Sequence, residues 1–170
     1  MTDHVRRIDR ILADGFASDI DGRPIDDVRA MERECLEVET EVSYVRRLAQ
    51  GRIDILEAER DRRAAGGSLG DLIAALPTIL ADEGRASPAN TRAQAVLAPA
   101  DGIAWNRGME RLIDDATLAN LPMLTEAELQ ATLGQLRELE GLVSGQRRSL
   151  HGVLDILTNS IARRLAPNPA

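Results

Sequence analysis

The chain has almost no aromatic side chains and no lysine. Phe16, Tyr44 and Trp105 are its only aromatic rings, 2% of 170 residues. A globular core usually draws much of its burial from large rings, so this interior must be aliphatic. All 21 basic residues are arginine, set against 28 acidic ones, for a net charge of −7. That balance argues against direct nucleic-acid binding, which needs a basic surface, and leaves room for a basic protein partner. A lone cysteine, Cys35, excludes an intrachain disulfide and a cysteine-based zinc site. No apolar run approaches the ~18 residues of a membrane span, and the first residues lack a signal-peptide pattern. The expected location is the cytoplasm, with no membrane contact. His4 and His151 are the only histidines, and neither sits in a metal-binding spacing. Asp26-Asp27 and Asp114-Asp115 read as helix-start or surface charges, so no metal and no enzymatic activity are expected. What is abundant is aliphatic and charged residues, 44% hydrophobic and 29% charged, a balance typical of long helices.

Hydrophobic spacing divides the chain. In residues 1–23, Val5, Ile8, Ile11 and Leu12 share one face of a short helix before Asp14-Gly15 and Asp21-Gly22 interrupt it. A helix this short is marginal alone and must dock, either on its own domain or on a partner. These four residues are the candidate partner contact. Residues 24–63 contain no proline after Pro24, and Val28, Met31, Cys35, Val38, Val42, Val45, Ala49 and Leu56 alternate spacings of three and four. That is a heptad seam with Arg52 as its polar interruption, and a helix of this length spans roughly 60 Å. Residues 64–124 are broken repeatedly by glycine and proline. They read as a flexible connection with short helices over 69–80 and 109–121 and an irregular stretch over 82–106. Thr125 and Glu128 form a capping box that opens a second long helix over 125–165. Its seam is Leu129, Leu136, Leu139, Val143, Leu150, Val153 and Leu157, interrupted by Thr132 and Gln146. A tail, 166–170, holds Pro167 and Pro169. The expected fold is all-α: an antiparallel two-helix coiled coil with a short N-terminal helix and a long irregular, partly helical connection. Charge supports the antiparallel choice, because each arm is acidic early and basic late, so opposite signs meet side by side.

The arms also repeat each other. VETEVSYVRRLAQGRIDIL from Val38 aligns without gaps to LEGLVSGQRRSLHGVLDIL from Leu139, identical at nine of nineteen positions. Seam matches such as Val42 with Val143 follow from any coiled coil. The polar matches do not: Glu39 with Glu140, Ser43 with Ser144, Arg46 with Arg147, Asp54 with Asp155, with Gln50 opposite His151. At about 100° per residue the five positions of each copy fall within an arc of roughly 80°, a polar stripe beside the seam. Gly51 and Gly152 flank it at matching helix-interior positions, each costing about 1 kcal/mol against alanine, and a bare backbone admits a flat group closely.

These residue types suit guanine. A guanidinium donates two bonds to the O6/N7 edge or stacks on the ring, and a carboxylate accepts from N1–H and the exocyclic amine. Adenine presents an acceptor where the carboxylate also accepts. Arginine further neutralises phosphate. The Arg and Asp of one copy stand roughly 12 Å apart along the axis and so reach different bases. Displayed twice, the stripe suits a two-fold-symmetric guanine dinucleotide.

The pattern E-x3-S-x2-R-x3-Q-x3-D, once on each of two coiled-coil helices, resembles the signature of the RsiG-type anti-sigma factors. The resemblance covers 24–63 and 125–165 and says little about the connection. It implies an antiparallel helical pair that holds a partly intercalated dimer of cyclic di-GMP as a regulatory ligand. The loaded protein then sequesters a flagellar-type RNA polymerase sigma factor that drives sporulation genes. Glu39, Ser43, Arg46, Gln50 and Asp54 match at all five positions. Glu140, Ser144, Arg147, His151 and Asp155 depart once, at His151, whose imidazole also donates or accepts a hydrogen bond. The residues themselves support the guanine ligand; the sigma factor comes from the resemblance alone. The alternative is a structural coiled-coil adaptor without a ligand, its stripe plain surface.

Overall fold

The computed structural model describes residues 6–81 and 120–166. In chain order the elements are α1 (Arg7–Ile11), α2 (Ile25–Ala65), α3 (Leu69–Ala81), a 3-10 turn (Leu121–Met123) and α4 (Glu126–Leu165). Among the described residues there is no strand, and α2 and α4 pack against each other as a two-helix coiled coil. The helix expected over 69–80 is α3, and Pro77 lies inside it without ending it. The one expected over 109–121 falls almost wholly outside the described residues, as does the stretch 82–106.

Local chemistry sets the helix ends. Thr125 and Glu128 form the expected reciprocal box: the Thr125 N–H donates to the Glu128 carboxylate at 2.8 Å, and the Glu128 N–H to the Thr125 hydroxyl at 3.3 Å. Ser68 and Asp71 cap α3 in the same way. At the end of α2, Gly66 takes φ +70°. The N–H of Gly67 reaches the Arg62 carbonyl at 3.0 Å and that of Gly66 reaches Arg63 at 3.1 Å, a Schellman motif whose left-handed residue favours glycine.

The long helices contribute to two compact units. The first comprises Met1–Ser43 and Ser144–Ala170, the second Tyr44–Val143. In the first, Glu32 meets Thr158 and Glu39 meets His151, so numbers rise on α2 as they fall on α4. In the second, Gln50 meets Glu140 and Glu57 meets Arg137, again antiparallel.

The core of the first unit is Ile11, Ile20, Val28, Met31, Cys35, Val38 and Val42 with Leu150 and Leu157, all buried. The Cys35 thiol is pushed up to about 11, chiefly by burial and then by Glu39 and Glu34, and its Sγ–H points to the Leu150 carbonyl at 3.7 Å. It is an apolar seam residue, not a nucleophile.

Here the N-terminal segment departs from the partner-contact reading. Ile11 is fully buried, and Ile8 and Leu12 are half-buried; Val5 lies outside the described residues. Arg7 fastens α1 to Glu34, Glu37 and Glu41 of α2, at 3.7, 2.6 and 3.5 Å, and Arg10 also pairs with Glu34. Arg164 of α4 donates to the carbonyls of Ile20 and Arg23. The apolar face therefore docks largely on its own unit, because the acidic early turns of α2 attract the arginines of α1.

In the second unit Leu56, Leu72, Leu121, Leu129, Leu133 and Leu136 form one buried cluster, with Ile53, Ile55, Ala58, Ile79 and Leu124 packed against it. Leu133 fills the seam position expected for Thr132, which is half-buried and turns its hydroxyl to the Glu128 carbonyl at 2.8 Å. Burying leucine recovers far more free energy than burying a hydroxyl. Val153, expected on the seam of the first unit, is only half-buried.

The seam also carries Glu59, fully buried one turn past Leu56. Its carboxylate accepts from Arg62 at 2.6 and 2.7 Å and from Arg63 at 2.6 Å. Arg63 goes on to the carbonyls of Leu121 and Leu124, at 2.9 and 2.7 Å. One buried carboxylate thus ties the end of α2 to the residues that lead into α4.

Candidate functional site

The duplicated stripe is present, but each cluster mixes the two copies. In the first unit the centre is Glu39, from the first copy, with only 1% of its surface exposed. The Ser43 hydroxyl, one turn on, donates to it at 2.7 Å. From the second copy, Arg147 Nε donates at 2.9 Å to both the Glu39 carboxylate and the Ser43 hydroxyl. His151 Nε2 stands 3.1 Å from the same carboxylate oxygen. A buried carboxylate requires such partners, since an uncompensated charge away from water costs several kcal/mol. Arg147 and His151 remain about one-third exposed. Among the described residues, the terminal nitrogens of Arg147 have no partner.

The second unit holds the reciprocal arrangement. Glu140, from the second copy, accepts from Gln50 Nε2 at 3.3 Å, and Arg46 Nη1 lies 3.7 Å away. The side chain of Glu140 is 26% exposed, and the contacts are longer than those around Glu39. The Nε of Arg46 is buried without a hydrogen-bond partner. Asp54, in this unit, is half-buried, and Asp155, in the first, is exposed.

The ten residues therefore have unequal roles. Glu39 and Ser43, read from sequence as part of an exposed stripe, are buried and act as supports for Arg147 and His151. The (i, i+4) spacing of Glu39 and Ser43 gave a sequence signal for a local pair. The cross-arm bonds to Arg147 and His151 depend on the axial stagger of the helices. The flanking glycines also differ: Gly152 is exposed with nothing within 4 Å of an added Cβ, whereas Gly51 is buried. Only Gly152 offers the bare, open backbone expected of both. Among the described residues no three of His, Cys, Asp and Glu converge as metal ligands, and no helix is long and apolar enough to cross a membrane.

These features define a class: a two-helix coiled-coil protein with a duplicated charged motif shared between its arms. The chain belongs to the RsiG-like family, whose model matches residues 14–80 and 115–170. The matched stretches contain both long helices and all ten motif positions. This is a family of regulatory anti-sigma factors. No curated protein matches the chain.

Proposed function

We propose that this chain is an anti-sigma factor that binds cyclic di-GMP and, once loaded, sequesters a flagellar- or sporulation-type RNA polymerase sigma factor in the cytoplasm. The observation that carries the nucleotide reading is the posture of Arg147. Its Nε is anchored by Glu39 and Ser43, and its terminal nitrogens are unpartnered among the described residues. A guanidinium fixed at one edge is preorganised to donate two bonds to a guanine O6/N7 edge. Arg46 is the base-reading arginine of the second unit, beside Glu140 and Gln50, but there a terminal nitrogen rather than Nε faces the carboxylate. Asp54 and Asp155 are the acceptors for N1–H and the exocyclic amine, and Ser144 completes the second copy of the motif. The open backbone at Gly152 leaves room for a base.

Family membership supports the sigma-factor partner. A partner that touches both protein and ligand binds the loaded form better and tightens the nucleotide by the same factor. Calorimetry with cyclic di-GMP and cyclic di-AMP, followed by sigma-factor capture with and without nucleotide, tests the proposal. The expected outcome is binding selective for cyclic di-GMP and capture that requires it, with Asp54→Ala/Asp155→Ala losing both. Equal binding of cyclic di-AMP would overturn guanine readout. Nucleotide-independent capture by the double variant would return the protein to the class of coiled-coil adaptors.

A further inference from the structure

The two motif arginines each face a glutamate before the ligand proposed above arrives. In the first unit Arg147 faces Glu39, with Asp155 on the same stripe. In the second unit Arg46 faces Glu140, with Asp54 beside them. Each motif arginine is thus already engaged by a carboxylate. A cyclic dinucleotide brings two phosphodiester anions. Like charges at short range repel by about 1 kcal/mol even in water and by more near a protein surface, so another cation must face the phosphates.

Two arginines meet that need. Of the arginines among the described residues, only Arg33, Arg47 and Arg148 have neither a hydrogen bond nor an ion pair. Arg47 and Arg148 occupy the same position in the internal repeat, directly after the motif arginines, one in each unit. Arg47 is half-buried and Arg148 exposed. At about 100° per residue each lies roughly 20° around the helix from the motif aspartate of its own copy, at the edge of the stripe. A guanidinium that is at least partly exposed and has no carboxylate partner among the described residues is available to an anion.

We infer that Arg47 and Arg148 are the phosphate-binding residues of the site, one for each repeat, neutralising the phosphodiesters while Arg46 and Arg147 read the bases. The inference rests on the nucleotide reading above and extends it to two residues outside the five-position motif. Arg33 provides the control. It is equally unpaired, but its counterpart in the repeat is Gly134.

The test is calorimetric titration of the full chain with cyclic di-GMP at low and moderate salt. It compares Arg47→Ala, Arg148→Ala, the corresponding lysine variants and Arg33→Ala. Each alanine variant is expected to weaken binding about tenfold and to flatten the salt dependence, since screening acts on the charges removed. Lysine should recover most of the affinity, and Arg33→Ala should leave it unchanged. Thermal stability should not move, because neither arginine has a partner to lose among the described residues. Alanine variants that bind as tightly as the unaltered chain, with the same salt dependence, would overturn this inference and leave the nucleotide reading standing. So would intact nucleotide affinity with lost sigma-factor capture, which would make the pair a protein contact. Variants that unfold would make it structural. Failure of the unaltered chain to bind cyclic di-GMP would overturn the nucleotide reading and this inference together.

Discussion

The Glu39 and Glu140 clusters start from one sequence motif and end in different physical states. Glu39 is buried and receives a guanidinium, a hydroxyl and an imidazole, all within 3.1 Å. Glu140 is partly exposed and has its amide contact at 3.3 Å and its guanidinium at 3.7 Å. One position separates the copies chemically, His151 in place of Gln50, but burial separates them more. A repeated motif thus fixes which groups meet, while surrounding packing decides how firmly they are held. In the first cluster the support is rigid and the arginine preorganised. In the second it is looser, and a ligand must order it at a cost in side-chain entropy.

The sharpest way to break this comparison is to remove each motif arginine. Arg147→Ala leaves the buried Glu39 carboxylate without its cation. The expected destabilisation is about 2–3 kcal/mol, below that for a fully buried pair because Arg147 is one-third exposed. Arg46→Ala removes a long contact to a partly exposed partner and should cost under about 1 kcal/mol. Both changes should weaken cyclic di-GMP by roughly 5- to 150-fold through the lost base contact. Urea denaturation measures the first difference and calorimetry the second. Equal destabilisation by the two variants would show that the clusters are energetically alike. From sequence, both arginines lie off the seam and look dispensable for folding; the burial of Glu39 is what sets Arg147 apart.

That point marks how far the residues could be read directly. The seam was legible because spacings of three and four define one face, and Val28, Met31, Cys35, Val38, Val42, Val45, Ala49 and Leu56 are all buried as that spacing requires. Thr132 and Leu133 fit the spacing equally well, so only packing separates them. The motif positions were legible as a repeat, but their burial was not, since it depends on the axial stagger of α2 against α4 within each unit. Glu59 was invisible for a related reason: a charge on a seam reads as its end, until Arg62 and Arg63 fold back upon it. The N-terminal face was legible as apolar. Its docking was not, because that rests on Arg7 and Arg10 finding glutamates about 30 residues away.

Glu59 sharpens the comparison with a second buried carboxylate, one that belongs to no motif. The hydrogen bond from Arg62, reinforced by Arg63, holds its carboxyl below the ordinary range against the opposing effect of burial. Its stabilising contribution is therefore complete above the unfolded value of about 4.3. It is lost as pH falls through the lower folded-state value. Glu59→Gln should cost about 1–2 kcal/mol at pH 7 and flatten the acid limb of the stability profile below about pH 4.5. Nucleotide affinity at pH 7 should be unchanged. Urea midpoints across pH 3 to 7 check this, and an unaltered acid limb in the variant would show that other carboxylates govern acid unfolding.

The smallest expected effect comes from making the copies alike. His151→Gln gives the first cluster the Gln50 chemistry of the second. An amide can donate to Glu39 from the place where the imidazole Nε2 stands 3.1 Å away, so one hydrogen bond replaces another. Glu39 keeps Arg147 and Ser43, at 2.9 and 2.7 Å, and the substitution leaves the buried seam residues Val38 and Val42 untouched. Stability should change by less than about 1 kcal/mol and cyclic di-GMP affinity by less than about threefold. The difference between Arg147→Ala and Arg46→Ala should persist in this background. If His151→Gln instead erased that difference, the imidazole, not burial, would distinguish the clusters. Calorimetry and urea denaturation of the single and double variants, read as a double-mutant cycle, separate the two explanations.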